Sequence, residues 1–240
     1  MCYYQNMDVK EDNFNELAGT ARSLGATSFG ATLTAVLSKS GEAPPSEQCT
    51  QFPYAISIGF RLSDALMETI EDGPTTTYRY HYRQVNAHLD RIALQLTAHI
   101  QAKGHDAMPI GASHIVDWKS NTGHLSHKWV AYYAGQGWLG RNNLLIHPVY
   151  GARMRYVTVL TDMPLKTGKP MEGDCGDCYD CLKVCPAGAI HDSRDDFRLD
   201  LCSTQLDHFK KKWNMGQQIC GVCIKACIGP QRRADRKKED

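Results

Sequence analysis

The sequence has no long apolar run: nowhere does it contain the roughly eighteen consecutive apolar residues that a membrane-spanning helix needs. The first ten residues, MCYYQNMDVK, also lack the charged start and apolar stretch of a secretory signal, and they contain no twin arginine. These absences predict a cytoplasmic protein with no membrane partner.

The sequence has little excess of either charge. Its 27 Lys and Arg residues nearly balance 26 Asp and Glu residues, which leaves a formal net charge of +1. A nucleic-acid partner usually requires a clear excess of positive charge. The short basic runs at Lys210 to Lys212 and in the tail QRRADRKKED are therefore interpreted as solvated surface, and tRNA is not an expected partner.

Cysteine, by contrast, is abundant, and four of the ten cysteines lie in CGDCYDCLKVCP, residues 175 to 186. Cys175, Cys178 and Cys181 recur at every third residue and can bind three corners of one 4Fe-4S cluster. Cys185, followed by Pro186, is typical of the ferredoxin cysteine that binds a neighbouring cluster. Structural zinc is the alternative, but it favours two separated CxxC pairs.

A second group of cysteines completes a set of eight. In the ferredoxin pattern the last cysteine of each motif binds the other cluster. The spacing therefore predicts Cys175, Cys178, Cys181 and Cys227 as ligands of cluster 1, and Cys185, Cys202, Cys220 and Cys223 as ligands of cluster 2. Residues 203 to 219 interrupt the second motif, unlike a symmetric ferredoxin. Cys2 and Cys49 are interpreted as ordinary thiols, and the whole set is typical of a reducing compartment.

The first two thirds of the chain carry helical and strand patterns in irregular alternation. Helical spacing predicts helices from Phe14 to Leu24, ended by Gly25, from Tyr78 to Lys103, and from His127 to Gly135. Strands are predicted over Tyr54 to Phe60 and over RMRYVTVLTD, which is apolar on both faces and therefore interior to a sheet.

These patterns predict an α+β fold in two domains. A layered cofactor-binding domain is expected over residues 1–165. The segment KTGKPMEG, residues 166 to 173, has the composition of a linker, and a ferredoxin-like domain with two 4Fe-4S clusters is expected over residues 166–240.

The loop AGQGWLGRNNLLIHPVYG, residues 134 to 151, carries four glycines among residues that form hydrogen bonds. Such a backbone can approach a planar or anionic ligand closely, and it can equally form tight turns between a helix and a strand. Both interpretations stay open on local evidence, and Trp138 is either a ligand contact or a core residue.

The order of AGQGWLGRNNLLI, RMRYVTVLTDMPL, CGDCYDCLKVCPAGAI and a late CGVC resembles the epoxyqueuosine reductase family and, more distantly, the reductive dehalogenases, from about Ala18 to Cys227. The resemblance implies a nitroreductase-like domain that holds base-off cobalamin, and clusters that pass single electrons to its cobalt. An external low-potential donor such as ferredoxin or flavodoxin is also implied. The loop residues assigned to the cofactor are Gly137, Trp138, Gly140, Arg141, Asn142 and Asn143. The chain resembles a short member without the C-terminal helical repeats.

One departure from the family concerns proton delivery. The family has an acidic residue shortly before the GWLG segment, and Asn121 aligns with it here, although an asparagine cannot act as a general acid. His124 and His127 are the neighbouring candidates, because histidine pKa values lie near neutral. Each is alternatively an ordinary hydrogen-bonded or exposed histidine.

The leading interpretation is an oxidoreductase in which a corrinoid reduces a small molecule or a modified base. An electron-transfer or corrinoid-reducing activator without its own organic substrate is the first alternative. A flavin-dependent reductase is the second, because nitroreductase-like folds commonly hold FMN.

Overall fold

The computed structural model describes residues 2–40, 44–117 and 122–239. The helices are α1 Cys2–Ser23, α2 Glu47–Thr50, α3 Asp64–Met67, α4 Thr76–Ala102, α5 His127–Tyr133, α6 Asp180–Lys183, α7 Leu199–Lys212, α8 Val222–Ala226 and α9 Pro230–Glu239. The strands are β1 Ser28–Leu33, β2 Tyr54–Arg61, β3 Ala107–Ile110, β4 Trp138–Leu139, β5 Leu145–Ile146 and β6 Met154–Thr161. Short 3-10 helices cover Thr34–Lys39 and Arg194–Asp196.

The apolar stripe between Tyr78 and Lys103 forms α4, as predicted. Leu89 and Leu96 on that stripe are fully buried, whereas Leu94 on another face is exposed. The first predicted helix is α1, and Gly25 follows its end with φ +98, a left-handed conformation that favours glycine. These helix predictions are confirmed.

Four strands form one sheet in the order β1, β2, β6, β3. β1 pairs antiparallel with β2, and β3 pairs antiparallel with β6. β6 lies between two neighbours, and its residues from Tyr156 to Thr161 are all buried. A strand covered on both faces carries a continuous apolar run, so the interior position predicted for this segment is confirmed.

The chain divides into two compact units, each built from separate segments. The first unit comprises Met1–Phe60, Asn86–Gln136 and Arg155–Met171, and it contains β1 and β3 with most of β2 and β6. The second comprises Arg61–Val85, Gly137–Met154 and Glu172–Asp240, and it contains the β4 and β5 hairpin and helices α6 to α9. All eight predicted cluster cysteines lie in the second unit. Among the described helices, none combines the length and the apolar composition that crossing a membrane requires.

A buried arginine organises the second unit. Arg153, whose side chain is 2% exposed, donates to Asp64 and Glu68 at 2.8 Å each and, through Nε, to the carbonyl of Lys225 at 3.1 Å. Asp64 also pairs with Arg61 and Arg232. Because Lys225 lies in α8, this network joins α3 to the helix that contains Cys223.

Candidate iron–sulfur and cofactor site

The first cysteine segment is a tight turn followed by α6. The backbone N–H of Cys178 donates to the carbonyl of Cys175 at 3.0 Å, and Gly176 between them has φ +46. That left-handed conformation favours glycine, which explains Gly176 in the motif. Cys181 lies in α6 and is buried.

Four thiols form a first group. Burial raises the pKa of Cys181 to about 11, and the thiols of Cys175 and Cys178 add to the rise. Cys227, directly after α8, is the fourth member of the group. Burial raises its pKa to about 12, and the thiols of Cys181, Cys175 and Cys178 raise it further. Such mutual effects require close approach. These are the four residues predicted for cluster 1, and their ligation of one cluster remains a prediction.

The other four thiols form a second group. Burial, and then Cys185, raises the pKa of Cys202. Burial raises the pKa of Cys220 to about 11, with contributions from Cys202 and Cys185. Burial raises the pKa of Cys223 well above its ordinary value, and the thiols of Cys220, Cys202, Cys181 and Cys185 add to the rise. Cys223 therefore lies where the two groups meet.

The chemistry of this donor set fits clusters. Burial and crowding oppose deprotonation of each shifted thiol, whereas bound iron stabilises thiolates and releases their protons. Within the described ranges, no group of three or more His, Cys, Asp or Glu side chains is arranged to hold a single metal ion. A 4Fe-4S cluster is a larger body, since its four thiolates bind four different irons. The grouped thiols therefore fit two such clusters better than one zinc ion.

The glycine-rich loop folds into the β4 and β5 hairpin of the second unit. Trp138 pairs with Ile146, and the N–H of Asn143, which has φ +56, donates to the carbonyl of Gly140 at 2.9 Å. A Cβ at Gly137 would collide with the backbone carbonyl of Ile146. Close packing within the hairpin thus accounts for Gly137, and ligand contact by the loop remains a prediction.

Two donors in this hairpin lack partners. Trp138 is 7% exposed and packs with Ile146 and Cys227, and Asn142 is 4% exposed. The indole Nε1 of Trp138 and the amide Nδ2 of Asn142 are both buried without a hydrogen-bond partner in the described part of the chain. An unsatisfied buried donor costs about 1 to 3 kcal/mol, so a bound group that accepts from either atom is favoured here.

The side chain of Arg141 binds the backbone of the first cysteine segment. Its guanidinium donates to the carbonyls of Gly176 at 2.9 Å, Cys178 at 3.1 Å and Asp192 at 2.6 Å. Its Cζ also lies 4.4 Å from the centroid of the Tyr179 ring. The hairpin and the first cysteine segment are therefore joined by one side chain.

The residues considered for proton delivery belong to the first unit. Asn121 lies outside the described residues. The Nδ1 atom of His124 lies 3.0 Å from the hydroxyl of Ser46. His127 has both ring nitrogens engaged, Nδ1 with the Thr158 hydroxyl at 2.7 Å and Nε2 with the Gly111 carbonyl at 3.0 Å. His127 is half-buried as a residue. Burial of its imidazole ring lowers the pKa of His127 to about 4.

Sequence reasoning does not identify two residues that shape the second unit. A Cβ at Gly151 would collide with the carbonyl of Cys227, so this glycine permits the chain to pass against the cysteine segment. Arg153 is buried at the start of β6. The arginines at the start of the otherwise apolar segment RMRYVTVLTD are the signal that points to a buried ion pair.

The comparison with known proteins begins with sequence. No family model matches the chain. Epoxyqueuosine reductase of Bacillus cereus is 39% identical over 70 residues, which are 29% of this chain and 18% of that enzyme. Tetrachloroethene reductive dehalogenase of Desulfitobacterium hafniense is 28% identical over 160 residues, which are 64% of this chain and 27% of that enzyme. The matched region thus spans less than a third of either relative.

Solved structures show the same two groups. A catabolic reductive dehalogenase in complex with 3-bromo-4-hydroxybenzoic acid has a TM-score of 0.72 at 18% identity over 94% of this chain and 33% of its own. An epoxyqueuosine reductase with an epoxyqueuosine-modified tRNA stem loop has a TM-score of 0.59 at 21% identity over 89% of this chain and 64% of its own. The resemblance predicted from the motifs is confirmed, and this chain has a mixed α/β fold shared with epoxyqueuosine reductases and reductive dehalogenases.

Proposed function

We propose that this protein is an iron–sulfur, corrinoid-dependent reductase that acts on a small molecule or a modified base. Electrons enter singly from an external low-potential donor such as ferredoxin or flavodoxin and pass through two 4Fe-4S clusters. The observation that carries the proposal is the presence within one unit of eight free thiols, one buried and seven half-buried, whose mutual effects on pKa link them in two sets of four. Reductases with the same fold support it.

The proposed cluster ligands follow from this grouping. Cys175, Cys178, Cys181 and Cys227 hold cluster 1, and Cys185, Cys202, Cys220 and Cys223 hold cluster 2. The electrostatic effect of Cys181, a thiol of the first group, on Cys223 supports electron transfer from one cluster to the other. We also propose a nitroreductase-like layered domain in residues 1–165 and a ferredoxin-like domain in residues 166–240.

The hairpin is the proposed corrinoid contact. The unsatisfied N–H groups of Trp138 and Asn142 are suited to donating hydrogen bonds to oxygen or nitrogen atoms of a ligand, and the turn at Gly140 and Asn143 holds Asn142 in place. When bound, the corrinoid supplies a strongly reducing cobalt centre. The chain's own residues orient this group and exclude water around it. FMN is the less supported cofactor, since no separate flavin signature is present in the sequence.

The relatives indicate two general classes of substrate. One relative is named for tetrachloroethene, and one solved structure contains a modified tRNA stem loop. A halogenated small molecule and a modified base in tRNA are therefore the substrates to test first, although the net charge of +1 offers little general attraction for tRNA.

Proton delivery separates the proposed reductase from its first alternative. The Nε2 atom of His127 donates to a carbonyl, and its Nδ1 accepts from Thr158, so the ring has no free site for a substrate proton. His124 keeps one nitrogen beyond its contact with Ser46 and is the better candidate. The occupied His127 favours, as a second candidate function, an activator that reduces a corrinoid without an organic substrate of its own.

The decisive experiment is an anaerobic titration of the reconstituted full chain with cob(II)alamin, followed by EPR. The proposal expects about eight irons per chain, from two clusters of four, and a base-off cobalt signal that saturates near one equivalent. Clusters without cobalt binding would contradict the corrinoid part. Turnover of a halogenated compound or of a modified tRNA stem loop with this protein as sole catalyst then distinguishes the reductase from the activator.

A further inference from the structure

We infer that Arg141 positions cluster 1 and tunes its reduction potential, and is not a corrinoid contact. Its guanidinium holds the backbone of the cluster-binding loop, and its positive charge favours the reduced cluster. The inference rests on the proposed function, because it requires a cluster on Cys175, Cys178 and Cys181.

Hydrogen bonds to backbone carbonyls occupy most of the Arg141 guanidinium. Two of its acceptors, the carbonyls of Gly176 and Cys178, lie inside the loop of the first three cysteines, and the third, the carbonyl of Asp192, belongs to the stretch after that loop. Each of the three nitrogens donates to a different carbonyl. Arginine presents its donors in a rigid planar fork, so three such bonds fix the relative orientation of the two backbone stretches.

A ring completes the clamp. The guanidinium lies over Tyr179, with Cζ 4.4 Å from the ring centroid, and Tyr179 stands between Cys178 and Cys181 in the sequence. A cation over an aromatic face is attracted to the negative face of the ring. The side chain of Arg141 therefore contacts the loop through its backbone and through one of its side chains, which leaves little of the guanidinium for another ligand.

The positive charge of Arg141 affects the reduction potential of the proposed cluster 1. All three acceptors are neutral carbonyls, so none of these hydrogen bonds neutralises the guanidinium. A 4Fe-4S cluster gains one negative charge when it is reduced, and net charge and hydrogen bonds around a cluster set its potential. A fixed cation beside the loop stabilises the reduced form. Cluster 1 consequently has a higher potential with Arg141 than without it.

The test is a redox titration of the reconstituted full chain, with the two clusters followed separately by EPR. Arg141→Gln removes the charge and the fork, whereas Arg141→Lys keeps the charge and loses the fork. Arg79→Gln is the matched control, because Arg79 also donates to backbone carbonyls, those of Asn214 and Met215, away from the first cysteine loop. We expect Arg141→Gln to lower the midpoint potential of one cluster only, Arg141→Lys to restore most of it, and Arg79→Gln to leave that cluster unchanged.

The remaining outcomes also decide the inference. Loss of about half the iron in Arg141→Gln, with full iron in Arg79→Gln, supports the positioning role. Unchanged potentials and iron in Arg141→Gln overturn the inference, as does loss of both clusters in all three variants. Lost cob(II)alamin binding with unchanged potentials makes Arg141 a corrinoid contact and also overturns it. Absence of clusters from the unmodified protein is a separate result, which refutes the proposed function itself.

Discussion

At the residue scale, His127 shows how two hydrogen bonds determine the chemistry of a side chain. A carbonyl only accepts, so the Nε2 atom must carry the proton that it shares with Gly111, and Nδ1 must accept from the hydroxyl of Thr158. Burial lowers the pKa of His127 to about 4, and the ring is therefore neutral at pH 7. The sequence leaves His127 as either a proton-delivery candidate or an ordinary hydrogen-bonded histidine, and this environment holds its ring in a single neutral form.

This environment makes folding stability depend on pH. Between the ordinary value of 6.5 and about 4, the unfolded chain binds a proton on His127 that the folded chain does not, so stability falls as the pH falls through this window. The full effect is on the order of 3 kcal/mol. His127→Gln removes the titration, and its thermal midpoint should fall less than that of the unmodified chain between about pH 7.5 and about pH 5.5. An equal fall in both proteins would assign the effect to other groups.

Replacing the sulfur of Cys227 by the oxygen of serine tests the proposed ligand sets. Cys227→Ser should reduce the iron content from about eight to about four per chain, because one cluster loses its fourth thiolate. Cys49→Ser is the control, since Cys49 is a buried thiol beside Ser46 in the first unit. If Cys227→Ser retained full iron and both EPR signals, Cys227 would not be a ligand.

At the scale of elements, the Arg153 network holds α3 and α8 together. Although burial by itself raises it, hydrogen bonds from Arg232, Arg153 and Arg61 hold the pKa of Asp64 well below its usual range. Asp64 is therefore a carboxylate that three arginines share. The carbonyl of Lys225 in α8 is held by the same Arg153, so the network also supports the helix that carries Cys223.

Removing that carboxylate should destabilise the second unit. Asp64→Asn leaves the buried Arg153 with Glu68 as its remaining anionic partner, and breaking a buried ion pair typically costs about 3 kcal/mol. The midpoint of urea unfolding should fall accordingly. Asp200→Asn is the control, since its pair with Arg198 is exposed and exposed pairs contribute little. Equal midpoints in the two variants would contradict a structural role for the network.

At the scale of the whole molecule, the two units differ in what stabilises them. The first contains most of a four-stranded sheet and the apolar face of α4 from Leu89 onward. The second contains short helices, a hairpin of two-residue strands and the eight thiols predicted to bind clusters. Burial raises the pKa of five of them and so opposes their thiolate forms without metal: Cys181, Cys202, Cys220, Cys223 and Cys227. The proposed clusters would therefore contribute their binding free energy directly to the folding of the second unit.

Iron removal should consequently act on one unit. Anaerobic chelation of the reconstituted chain is expected to increase amide hydrogen exchange in residues 172 to 229, while β1 and β3 stay protected. Hydrogen exchange measured by mass spectrometry checks this by segment. Uniform loss of protection in both units would show that the first unit does not fold independently of the clusters.

Much of this molecule is readable from local pattern. The period of α4, the apolar run of β6 and the positive φ of Gly25 are properties of neighbouring residues, so their predictions are confirmed. The two ligand sets stay a prediction from the cysteine spacing. The partners of Arg141 and Arg153 were outside the reach of such reasoning, because they lie 35 to 51 and 72 to 89 residues away, respectively.

The sequence by itself determined the eight thiols and their order, and the helices and strands of the first two thirds of the chain, because cysteine spacing and apolar periodicity are properties of neighbouring residues. Only the tertiary structure decided which side chains act on those thiols. It joined Arg141 to the first cysteine loop, left the donors of Trp138 and Asn142 unsatisfied, and engaged both nitrogens of His127. Hydrogen bonds and burial between distant segments leave no trace in local spacing, and they arise only when the chain is folded.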